Sequence, residues 1–259
     1  MIQLKDSSYK ALVDVLDIVP FNTFFVRSVL EGHAEGQVYA DKEMNPSSLY
    51  VRHAYGMTFL YGDTCNHAFN NDLIHYFGAI KQDEWLQAYP RDWDKIMTGL
   101  AESMEIELST RLNFVFDQEL FEENASQFDI ENYTILEGTI GINRDFRGSV
   151  VPKYYWKEHL LPNCKSYAAF SKGEPVAIAF NSFLHGKNFE IGIETLAEHR
   201  GKGYARAVCI SLIRYCIQEG LTPVWACRLE NTGSVNLAKR LGFRESIRLP
   251  YYILSAKKR

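Results

Sequence analysis

The chain has 259 residues, enough for one large domain or two small ones, and 46% of them are hydrophobic against 23% charged, which suits a folded core. A formal net charge of −4 gives none of the basic excess that marks nucleic-acid or anionic-membrane binding. No stretch approaches the roughly 18 apolar residues of a membrane helix, and the opening MIQLKDSSYK has no apolar signal core.

In chain order, Asp6 or Ser7 caps a predicted helix carrying Tyr9, Leu12, Val13 and Leu16. Phe21, Phe24, Phe25, Val29 and Leu30 predict a second helix, closed near Gly32. Residues 37–41 read as a strand, and 49–61 as two strands broken near Gly56, with a turn at Gly62-Asp63. Helices follow at 71–80 and 92–101. Leu112, Phe114 and Phe116 then alternate as a strand. Residues 117–131 carry six acidic residues and no Lys or Arg, and read as a linker or surface crossover. Residues 141–151 show no periodicity and read as a loop, and 152–160 as a helix. These boundaries divide the chain into an N-terminal α/β lobe over 1–130 and a second domain over 131–259.

The second domain carries the chemistry. Residues 165–171 and 175–183 form a predicted hairpin through Lys172-Gly173-Glu174. After a turn at 185–188, Phe189, Ile191 and Ile193 alternate with Glu190, Gly192 and Glu194, the period of a strand. Ala205, Val208, Cys209, Leu212, Ile213, Cys216 and Ile217 then form one helical apolar stripe, closed by Gly220. Between strand and helix lie Arg200, Gly201, Lys202 and Gly203. Glycines let a ligand approach the backbone, the helix start offers unpaired N–H groups, and Arg200 and Lys202 add positive charge, so the turn suits phosphate. It lacks the Gly-Lys pair of a P-loop, and Arg206 stands where a dinucleotide fingerprint needs a small residue.

Arg200-x-x-Gly203-x-Ala205 after a strand resembles the acyl-CoA signature R/Q-x-x-G-x-G/A of the GNAT superfamily of N-acetyltransferases. Asn231-x-x-Ser234-x-x-Leu237-x-x-x-Leu241-Gly242-Phe243 resembles that superfamily's second block, and the likeness spans roughly residues 165–252. It implies an α/β (α+β) fold with a mixed, mostly antiparallel sheet flanked by helices, preceded by a lobe that loosely repeats the same element order without its glycine turn. It also implies acetyl-CoA as acyl donor. Its pyrophosphate would lie on Arg200, Gly201, Lys202, Gly203, Tyr204 and Ala205. Its pantetheine and carbonyl would meet a strand bulge at Thr195, Leu196 and Ala197, with Asn231 and Ser234 alongside. A glutamate at position 203 is expected to abolish CoA binding without unfolding the protein.

Transfer to an amine needs a base. Glu190 and Glu194 are the candidates, on the strand face opposite Ile191 and Ile193. Two acidic groups there favour a basic small-molecule substrate. The superfamily's frequent tyrosine, four residues before the Gly-Phe, is Ala238 here, which puts an acid-assisted departure of the thiolate in doubt. A CoA-binding sensor or scaffold without transferase activity is the alternative. Histidine spacing gives no metal site. The five cysteines are scattered without a CxxC pair, which fits reduced thiols and a cytoplasmic protein. No nucleic-acid or membrane partner is expected, and a homodimer is left open.

Overall fold

A computed structural model describes residues 1–256. It resolves into two compact units. The first comprises Met1–Arg111, Arg228–Glu230 and residues 248–256; the second comprises Leu112–Cys227 and Asn231–Ile247. No described helix is long and apolar enough to cross a membrane.

The first unit begins with β1 (Ile2–Gln3), a 3₁₀ helix over Asp6–Leu16 and α1 (Phe24–Leu30). An antiparallel meander follows: β2 (Gly36–Ala40), β3 (Ser48–His53) and β4 (Met57–Gly62). α2 (His67–Phe77) crosses to β5 (Glu84–Tyr89), which lies parallel to β4, and α3 (Trp93–Ala101) leads to β6 (Ile106–Phe116). β5 is absent from the sequence reading. Leu86 and Ala88 are buried on one face and Gln87 on the other, so an interior strand of a parallel pair leaves no polar alternation to detect.

The second unit continues with α4 (Gln118–Ser126), β7 (Thr134–Glu137), α5 (Ile140–Asp145), β8 (Ser166–Ser171), β9 (Glu174–His185) and β10 (Asn188–Thr195). Then come α6 (Tyr204–Gln218), β11 (Thr222–Arg228), α7 (Thr232–Arg240) and β12 (Phe243–Leu254). β7 to β10 pair antiparallel in succession and β10 pairs parallel with β11. This is the mixed, mostly antiparallel sheet that the sequence predicts. The order of β8, β9, β10, α6, β11, α7 and β12 repeats that of β2, β3, β4, α2, β5, α3 and β6.

Packing explains α6. Val208, Cys209, Leu212, Ile213 and Cys216 are fully buried and share one core with Phe189, Ile191, Trp225 and Phe243. Each such side chain contributes about 1.5–3 kcal/mol. The helix ends as its glycine predicts: Gly220 has φ +64°, and Leu221 N–H closes on Cys216 C=O at 2.8 Å.

Three expectations need correction. The acidic stretch 117–131 is not a linker; Asp117 caps α4 by accepting from Leu120 N–H at 3.0 Å, and Phe121 lies in the core. Phe121 and Ala125, four apart, are the buried stripe that the surrounding charge conceals. Residues 141–151 are not all loop, because α5 starts at 140 with Thr139 as its cap. The helix expected over 152–160 is two short 3₁₀ turns, Pro152–Tyr154 and Glu158–Asn163.

Candidate active site

β10 and β11 pair only from Asn188↔Thr222 to Glu190↔Val224, yet β10 runs on to Thr195 and β11 to Arg228. Beyond Glu190 the ladder between them is therefore open. The expected strand bulge lies elsewhere than 195–197. The register shift falls between Glu190 and Ile191, where Ser182 of β9 is the extra residue. Leu196 N–H donates to Val176 C=O of β9 at 3.0 Å. Hydrogen-bonding groups alternate sides along a strand, so Ile193 and Thr195 turn theirs toward the open edge. Thr195 is already engaged: its N–H donates to Glu194 Oε1 at 3.2 Å and its C=O accepts from Arg200 Nε at 3.0 Å. The backbone of Ile193 is what the opening presents, a group the sequence reading missed.

The turn after β10 matches its sequence. Gly201 (φ +74°) and Gly203 (φ +85°) are left-handed, and Gly203 is the N-cap of α6. A glycine cap has no side chain to spend on the first N–H groups of the helix, so the cap leaves those of Tyr204 and Ala205 unmet. The Arg200 guanidinium turns back onto Thr195 C=O at 3.0 Å and onto Glu194 at 3.2 Å, while its side chain stays 65% exposed. Lys202 is exposed, with Nζ on Glu198 C=O at 2.8 Å. Ala197 is exposed beside it.

Tyr133 is a second residue missed from sequence. Its hydroxyl donates to Lys202 C=O at 2.9 Å, and its ring stacks on Phe128 and meets Tyr204 edge-on. A Cβ on Gly203 would stand 2.1 Å from the Tyr133 hydroxyl oxygen. The Gly203→Glu test therefore strikes the turn itself and not only a ligand, and intact folding is no longer expected of it.

The two glutamates differ. Both are buried, at 6% exposure for Glu190 and 7% for Glu194. The Glu194 carboxylate accepts from five donors. Ser149 N–H (2.8 Å), Ser149 Oγ (3.1 Å) and Val150 N–H (3.0 Å) reach Oε2, and Thr195 N–H and Arg200 reach Oε1. It clamps the loop before Pro152 to the end of β10. Gly148 makes the approach possible, since a Cβ there would lie 2.4 Å from Glu194 Cγ. Glu190 sits where the β10–β11 ladder ends, with its C=O accepting from Ser182 Oγ at 3.2 Å. Gly192 between them leaves room for the Phe180 ring, which a Cβ would approach to 2.5 Å.

The second block is also in place. Asn231 caps α7 by accepting from Ser234 N–H at 3.1 Å, and Ser234 Oγ accepts from Trp225 Nε1 of β11 at 3.1 Å. Ala238 is fully buried in the core, so α7 offers no acid there.

The model of a family described as GNAT acetyltransferase matches residues 20–252. The chain belongs to that family. It is 25% identical over 248 residues to an uncharacterized N-acetyltransferase, YdfB, of Bacillus subtilis strain 168, covering 93% of this chain and 94% of that one. A crystal structure of a GCN5-related N-acetyltransferase-like protein from Streptococcus suis 89/1591 superposes with a TM-score of 0.70 at 20% identity, covering 96% and 99% of the two chains. A tandem GNAT protein from the clavulanic acid biosynthesis pathway gives 0.56 at 10% identity, with 98% and 97% covered.

The same element order thus occurs twice here, and only the second copy combines an open strand ladder with a left-handed glycine cap. In the first unit β4 and β5 stay paired from Met57↔Trp85 to Tyr61↔Tyr89, with no opening. The matching helix, α2, is capped by Asn66, which accepts from Phe69 N–H at 3.1 Å. A side chain already fills the place that Gly203 leaves bare.

Proposed function

We propose that this GNAT protein transfers the acetyl group of acetyl-CoA to a primary amine of a small molecule. The observation that carries the reading is the early end of the β10–β11 ladder next to a left-handed glycine cap. The acyl donor supplies an activated thioester carbonyl. The N–H groups of Tyr204 and Ala205, with Lys202 beside them, take the pyrophosphate, and Arg200 holds the turn's shape rather than the anion. The Ile193 backbone lines the pantetheine, and its N–H donates to the carbonyl oxygen as charge develops there. Thr195, Leu196 and Ala197 close that end of the opening. Asn231 and Ser234 keep the start of α7 against β11.

Glu190 is the base in this reading, and Glu194, saturated by its donors, positions the loop and the turn. The amine arrives protonated at neutral pH and gives its proton to Glu190, directly or through water. Its nitrogen lone pair attacks the carbonyl carbon, a C–N bond forms, the C–S bond breaks, the sulfur leaves as thiolate, and the nitrogen's second proton passes to that thiolate or to water as the neutral amide forms. A thiol of pKa about 8.5 departs without an acid, so Ala238 does not forbid turnover. The missing tyrosine does favour a second reading, a CoA-binding module without activity. Incubation with acetyl-CoA and a library of amines, followed by mass spectrometry and thiol release, separates the two. Acetylated amine in step with free CoA supports transfer; acetyl-CoA binding without turnover on any amine supports the module.

A further inference from the structure

The first unit holds a buried polar cluster whose hydrogen-bonding groups are only partly met. Its strands β5, β12 and β6 are neighbours. β12 pairs with β5 at Tyr252↔Leu86 and Ile253↔Trp85, and one step on in that register are Tyr251 and Gln87. The guanidinium of Arg111, on β6, lies 5.4 Å from the centre of the Tyr251 ring. All three side chains are inside: Arg111 is 8% exposed, Tyr251 2% and Gln87 1%. Arg111 Nε and both ends of the Gln87 amide have no hydrogen-bond partner among the described residues. Arg228, at the end of β11, adds a second positive charge near Tyr251. No carboxylate pairs with either arginine among the described residues. Glu230, two residues after Arg228, accepts instead from Ser109 Oγ at 2.8 Å.

A buried guanidinium without a counter-charge is costly, and so is a buried amide with neither end met. A small anion would meet the guanidinium and the NH₂ end of the amide. A guanidinium fork matches a carboxylate in two parallel hydrogen bonds, and an amide N–H and a phenol add two further donors. Burial pushes the Tyr251 hydroxyl up, which keeps it a donor. We propose that Arg111, Gln87 and Tyr251 bind the carboxylate of a small organic acid.

The test is titration of the full chain with glycine, alanine and glutamate, each against its amide, by calorimetry, with acetyl-CoA titrated separately. At least one free acid binds at least tenfold tighter than its amide. Arg111→Met removes that preference and leaves acetyl-CoA affinity unchanged. Gln87→Leu weakens acid binding while raising Tm, and it decides the matter if Arg111→Met does not fold. Equal binding of acid and amide, no acid binding, inorganic phosphate displacing every acid, or variants that bind acids as the parent does would each overturn the proposal. Acid binding that survives in a protein unable to bind acetyl-CoA supports the site and removes the transfer reading alone.

Discussion

Replacing Glu194 with glutamine separates a clamp from a base. Glutamine keeps one acceptor oxygen and loses the charge. If that oxygen stays with Ser149 and Val150, the amide NH₂ faces Thr195 N–H and Arg200, and both of those bonds are lost. Hydrogen bonds to charged groups contribute about 1.5–3 kcal/mol each. The Arg200 side chain is 65% exposed, so its share is the small one of a surface pair, about 0–1 kcal/mol. The weakened loop bonds bring the loss to about 2–4 kcal/mol. For a chain of this size that lowers Tm by about 4–15 °C. The same change loosens the turn that Arg200 holds, so KM for acetyl-CoA rises while kcat changes little. Thermal melts and steady-state kinetics on one preparation read both. Unchanged Tm and KM with a large fall in kcat would refute the clamp and return Glu194 to the role of base.

Glu190→Gln should do the reverse, lowering kcat by about 10²–10⁴ with the fold and acetyl-CoA affinity retained, as kinetics and melting will show. Thiol labelling of the native protein should modify Cys65 alone, because Cys65 is exposed, Cys227 is buried, and burial pushes the Cys164 and Cys216 thiols up to about 12 and Cys209 higher still. Rapid labelling at Cys209 would contradict the packing of α6. Burial and the neighbouring Arg52 charge lower the His53 pKa from 6.5 to about 4. The unfolded chain therefore takes the proton first. Stability is full above about pH 6.5 and falls as pH drops toward 4, by about 2 kcal/mol between pH 7 and 5. Denaturant melts across that range, with His53→Gln as the variant that lacks the slope, measure it.

Local sequence fixes local structure where one requirement dominates. The turn at 200–203 was legible because glycine spacing, charge and the following α6 stripe all demand one geometry. The hairpin of β8 and β9 was legible from Lys172-Gly173, whose left-handed φ values of +53° and +86° are what such a turn needs. α4 was not, because two buried residues among six acids present too weak a stripe. β5 was not, because an interior strand carries no alternation. At the site, both glutamates were placed by strand period, but their roles depend on the loop 147–151 reaching Glu194 from 45 residues away in sequence. Tyr133 over the glycine turn, 69 residues from Lys202, was hidden for the same reason. The open backbone of Ile193 is a property of where two strands stop pairing, which no residue type announces.

The most direct measurement is calorimetric titration of acetyl-CoA into the parent protein and two variants at Gly201. That glycine is left-handed and exposed, and a Cβ there would meet nothing within 4 Å, so aspartate and asparagine both find room and share the backbone strain of that φ, which these two residue types tolerate better than most. They match in size and differ chiefly in charge. Acetyl-CoA should bind the parent in preference to NAD, and Gly201→Asp should bind at least tenfold more weakly than Gly201→Asn, about 1.4 kcal/mol. Equal affinity in the two variants, or no acetyl-CoA binding by the parent, would contradict the assignment of the turn and the transfer reading built on it.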